Sequence, residues 1–68
     1  MSIARVAEIK ASSPSSFDDA MREGIGRARK TLHNIRSAWV QDQEVLIDEN
    51  GEITEYQVRL KGTFVLKD

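Results

Sequence analysis

The chain contains no cysteine. Disulfides are therefore excluded as a source of stability, and so is any zinc site built on thiolates. With a single histidine, His33, a Cys/His zinc site is excluded too. Proline occurs once, at Pro14, and tryptophan once, at Trp39. No apolar run is long enough to span a bilayer, and the N-terminal residues lack the apolar centre of a secretory signal. There is no excess of charge either: 10 basic residues stand against 11 acidic ones, for a formal net charge of -1. That balance argues against a nucleic acid partner, because binders of DNA or RNA concentrate basic charge. The basic cluster Arg22, Arg27, Arg29 and Lys30 reads as the solvated face of a helix. A soluble cytoplasmic protein, with neither membrane nor nucleic acid as partner, is the expectation.

What is present is short. The 68 residues make one domain, residues 1–68. Below roughly 70–80 residues a single core rarely supplies more than about 3–5 kcal/mol. Disulfides, a metal or oligomerisation usually make up the difference. With cysteine absent and histidine scarce, oligomerisation is the remaining route.

The elements follow from local patterns. Residues 2–10, "SIARVAEIK", mix β-branched and apolar residues with single charges and read as a strand. "ASSPSS" then marks a break. A helix begins near Ser16. Asp19, three places on, makes a capping box with Asp in place of the usual Glu or Gln. Phe17, Met21, Ile25, Ala28 and Leu32 form an apolar stripe with helical spacing. Asp18 and Asp19 open the helix, and Lys30 and His33 lie near its end, as the helix dipole favours. Gly24 and Gly26 flank Ile25, which suggests close approach of another backbone or glycines merely tolerated. Residues 36–47 and 53–66 read as two further strands. Asn50-Gly51 between them predicts a hairpin with a type I′ turn. The fold class is α+β, in the order β-α-β-β.

Side-chain alternation assigns the faces. In the last strand Tyr56, Val58, Leu60, Phe64 and Leu66 share the parity expected to face the helix. Ile53, Glu55, Gln57, Arg59, Lys61 and Thr63 share the other. In the preceding strand Ala38 and Val40 are the helix-facing pair, so Ser37, Trp39, Gln41 and Gln43 face away. Trp39 is then an outward aromatic beside Gln57 and Arg59, and exposed apolar surface marks an interface or a ligand groove. The alternative is a bulge that turns Trp39 into the core.

"SSPSSFDDAMREGIGRARKTLHNIR" followed by "YQVRLKGTFVL" resembles the dodecins over nearly the whole chain. The specific parts are "SSP" before the helix, "ARKTL" at its end, and "YQV" with "TFVL" in the last strand. The resemblance implies a three-stranded antiparallel sheet partly wrapped round one helix, and a hollow homododecamer. It also implies a protein that stores or buffers flavin (riboflavin, FMN or FAD) rather than an enzyme. In dodecins a tryptophan stacks on the flavin ring and a glutamine meets its polar edge. Gln57 matches that glutamine directly. An amide suits the role because it offers both donor and acceptor. The family's tryptophan position falls on Ser37 counted from "TLHNIR" and on Ala38 counted back from "YQV"; Trp39 follows one or two places later. Gln57, Trp39, Ser37 and Arg59 are thus the candidate cofactor-binding residues. The alternative is a dodecin-type shell in which Trp39 fills the flavin's place, with an ion such as calcium or another small ligand bound instead.

Nothing else in the chain points to chemistry. Asp48-Glu49-Asn50-Gly51 has part of the look of a calcium loop, without its ligand spacing or closing glutamate. A solvated hairpin tip is the plainer reading, although symmetry can assemble ion sites from several chains. His33 has no nucleophile pattern around it. The "GIG" of the helix lacks the strand-turn-helix setting of a phosphate loop. No constellation for catalysis is present.

Overall fold

A computed structural model describes residues 3–66. Ser2, the first residue of the expected leading strand, lies outside them. The elements are β1 (Ile3–Ser13), α1 (Phe17–Thr31), β2 (Ile35–Ile47) and β3 (Ile53–Leu66). The strands form one antiparallel sheet in the order β1-β3-β2, so the C-terminal strand is central.

β1 runs three residues further than expected. Ser12 and Ser13, read as part of the break, pair with Gln57 and Tyr56 of β3. Ladder bonds outweigh the turn preference of serine there. The chain then turns at Pro14 and Ser15, and Ser16 caps the helix, its Oγ accepting from the Asp19 amide at 3.0 Å. The capping box stays half-closed. Asp19 has one methylene fewer than glutamate, and its Oδ2 instead accepts from Ser13 Oγ at 2.7 Å. Ser13 is buried, and its Oγ accepts from the Ser15 amide. The strand end and the helix start are thus locked together.

α1 packs on β1 and β3 and leaves β2 largely uncovered. Val58 and Leu60, from the face that alternation selects, are buried with Ala20 of the helix. Ile9, Ala11, Phe17, Met21 and Ile25 close around them. The rings of Phe17 and Tyr56 meet edge to face at 5.1 Å. Phe64 and Leu66 share the inner parity but lie towards the other end of β3, and Leu66 is exposed.

The two helical glycines have different roles. A Cβ on Gly24 would stand 2.8 Å from Ala11 Cβ, so the helix approaches the sheet as closely as it does because Gly24 has none. A Cβ on Gly26 would meet nothing within 4 Å, so no close approach explains that residue. Thermal melts should therefore move in opposite directions. Gly24→Ala is expected to cost about 1–3 kcal/mol through overpacking. Gly26→Ala is expected to gain up to about 1 kcal/mol through helix propensity. Equal and same-signed shifts would contradict the assignment of the close contact.

The hairpin corrects the type I′ expectation. Within the turn only Gly51 has positive φ, at 81°, and Asn50 does not. Asp48 N–H donates to Glu52 O at 2.9 Å and Gly51 N–H to Asp48 O at 3.0 Å. That is the pattern of a three-residue loop ending in a left-handed glycine. The cause is Asp48, whose Oδ1 accepts from the amides of Asn50 and Glu52 and so fixes the turn at its first residue.

The chain is long and thin, 53 × 19 × 14 Å, with a radius of gyration of 14.1 Å. A compact chain of this length would have about 11 Å. Val6 and Ile47 are 55% and 60% exposed, and Ile3, Val40, Leu46 and Ile53 are also exposed. So little core and so much bare apolar surface belong to a subunit that completes its burial by association.

Candidate functional site

The sheet face away from α1 carries the candidate residues in rows across the three strands. Strand pairing sets each row in the order β1, β3, β2. One row is Ser12, Gln57 and Glu44; the next is Lys10, Arg59 and Asp42. Then come Glu8, Lys61 and Trp39, followed by Val6, Thr63 and Ser37. All four predicted site residues are therefore on this face, but in different rows.

Trp39 is outward and 48% exposed, as alternation required. Its cross-strand partner is Lys61, not Gln57 or Arg59. Lys61 and Gln57 are four residues apart, about 13 Å along a strand. The expectation that Trp39 sits beside Gln57 is thus corrected. A bulge is present, but it falls at Gln41, between Val40 and Asp42, after the tryptophan. It leaves Trp39 outward and reverses the faces from Asp42 to Leu46, up to a further register shift before Ile47. Gln43, expected outside, stands opposite Val58 on the helix side. Asp42 and Glu44 move to the outer face, opposite Arg59 and Gln57. A second irregularity at Arg36 lies just before Ser37.

Asp42, Glu44 and Lys10, which are not among the candidate binding residues, share this face with them. With Gln57 and Arg59 they line a shallow depression of about 380 Å³; Trp39 and Ser37 do not reach it. A signal for the bulge existed. The inward apolar residues of β2 change from even positions, Ala38 and Val40, to the odd position Val45. No strand makes that change without a bulge or a twist out of register.

Arg59 is bound to Asp42 by two bonds. Its Nε donates to Oδ1 at 3.3 Å, and its NH2 group donates to Oδ2. The hydrogen bonding of Arg59 holds the Asp42 carboxyl below the usual carboxylate range, with the charges of Arg59 and Lys10 acting in the same direction. Asp42 reciprocally raises the pKa of Arg59, which stays charged at every accessible pH.

The hairpin tip offers less to an ion than its composition suggests. One oxygen of Asp48 already accepts two backbone amides. Among the described residues no group of three or more His, Asp or Glu side chains is placed to hold a metal within one chain. Among them, too, no helix is long and apolar enough to cross a membrane.

The architecture defines a class first: a small β-α-β-β subunit with a minimal core, bare apolar surface and a polar outer face. Comparison with known proteins defines the family. The Dodecin family model matches residues 3–67, and the chain belongs to that family. It is 36% identical over 67 residues to the calcium dodecin of Mycobacterium tuberculosis, covering 98% of this chain and 93% of that protein. A dodecin from Streptomyces davaonensis is 36% identical with a TM-score of 0.92, covering 98% of this chain and 97% of the other. The crystal structure of the calcium-chelating M. tuberculosis antigen, described as having a novel calcium-binding site, is 32% identical with a TM-score of 0.82. It covers 96% of this chain and 91% of that one.

Proposed function

We propose that the chain forms a closed homododecameric shell that binds and stores a flavin (riboflavin, FMN or FAD) where subunits meet, without catalysing a reaction. The observation that carries this reading is Trp39, a large aromatic left 48% exposed on the same face as Gln57. A flat conjugated ring covers such a side chain by stacking. Gln57 supplies donor and acceptor to the ring's polar edge. Trp39 and Gln57 of one chain stand about 13 Å apart along the sheet, so contacts between subunits bring the two groups to one ligand. Ser37 and Arg59 flank that surface. Titration of purified protein into riboflavin should quench the flavin's fluorescence. Absence of quenching at micromolar protein would overturn the reading.

A second reading rests on a different observation. The M. tuberculosis relative is a calcium dodecin, and the bulge at Gln41 brings Asp42 and Glu44 to the outer face of this chain. Hard oxygen ligands suit calcium, and subunits related by symmetry can pool carboxylates into one site. On this reading calorimetric titration with calcium gives a saturable heat and riboflavin gives none.

A further inference from the structure

The depression beside Gln57 holds a charge arrangement that bears on which flavin enters it. This inference rests on the flavin reading above. Four charged side chains line the depression: Lys10, Arg59, Asp42 and Glu44. They sum to zero. Arg59 is the one arginine among the residues that line the depression, and its guanidinium fork is occupied by Asp42. A phosphate binds best to a free arginine fork, because planar bidentate bonds match its oxygens. Here the fork has a carboxylate partner from its own chain, held opposite by strand pairing and so present at high effective concentration. Glu44, opposite Gln57, adds repulsion towards an incoming dianion. An uncharged ribityl tail meets neither obstacle, since hydroxyls can bond to carboxylates and amides alike.

We infer that the Asp42–Arg59 pair makes this face selective for an unphosphorylated flavin. Asp42 acts as a specificity-determining residue by keeping Arg59 from the ligand's phosphate. Riboflavin and FMN form a matched pair for the test, since they differ only in that phosphate. Their dissociation constants are measured by fluorescence quenching on the intact oligomer, for the wild type, Asp42→Asn and Glu44→Gln, at one low ionic strength. The wild type is expected to bind riboflavin more tightly than FMN. Asp42→Asn leaves Arg59 one neutral acceptor in place of a bidentate carboxylate, loosening the fork, and should move the ratio towards FMN by about fivefold, the scale of an exposed ion pair. Glu44→Gln removes the same charge but leaves Arg59 paired, and should move the ratio less. A wild type that binds FMN as well as riboflavin, or an Asp42→Asn ratio equal to the wild type's, overturns the inference while leaving flavin binding in place. An equal shift in Glu44→Gln also overturns it, because net charge rather than the fork would then discriminate. No quenching by either flavin overturns the inference together with the reading beneath it.

Discussion

Leu60→Ala is expected to remove most of the fold's stability. Leu60 is 0% exposed, at the centre of the central strand. It pairs with Ile9 on one side and Val40 on the other, and its Cδ1 lies 3.9 Å from where a Gly24 Cβ would stand. Truncating a buried leucine costs about 2–5 kcal/mol, most where the site cannot collapse. The helix is already as near the sheet as Gly24 allows, so little relaxation is available. A core this small supplies no more than about 3–5 kcal/mol, so the isolated chain is left at or below the folding threshold. Association adds stability only in proportion to the logarithm of concentration. Circular dichroism melts of the variant should show either no cooperative transition or a midpoint that falls steeply on dilution. A melt within a few degrees of the wild type would show that the core lies elsewhere.

The second large effect is expected at Trp39→Ala, and it falls on ligand binding rather than on folding. Trp39 faces away from the helix, and truncating it opens no cavity against α1. Buried tryptophan contacts at an interface are worth about 2 kcal/mol or more, roughly a 30-fold change in affinity. Flavin affinity should drop by that factor or more, while light scattering still reports the wild-type mass. The reverse result, loss of the oligomer, would make Trp39 an interface residue that fills the flavin's place.

These expectations draw on features that were unequally visible in the linear chain. The central strand is legible because a two-residue period holds from Tyr56 onward, and Val58 and Leu60 are buried as that period requires. The Ser16 cap was legible because its partner is local. Trp39's outward direction followed from Ala38 and Val40 alone. Simple alternation does not show the bulge at Gln41, because it holds only up to the point where the apolar residues change parity. Beyond it Gln43 turns to the helix side and Asp42 and Glu44 turn outward. The hairpin turn departs from its local signal too: Asn50-Gly51 suits type I′, but the Asp48 side chain takes the amides of Asn50 and Glu52. The distance between Trp39 and Gln57 depends on cross-strand register, which no local pattern specifies. The "YQV" glutamine was found through family likeness, since nothing in its spacing marks it as a ligand.

The proposal makes this chain a subunit whose burial and whose binding surface are completed by copies of itself. The mass in solution tests that claim most directly. Multi-angle light scattering on purified protein, repeated across a hundredfold dilution, should give a single particle of twelve chains at every concentration. A folded monomer, sharp in its melt and constant on dilution, would contradict it.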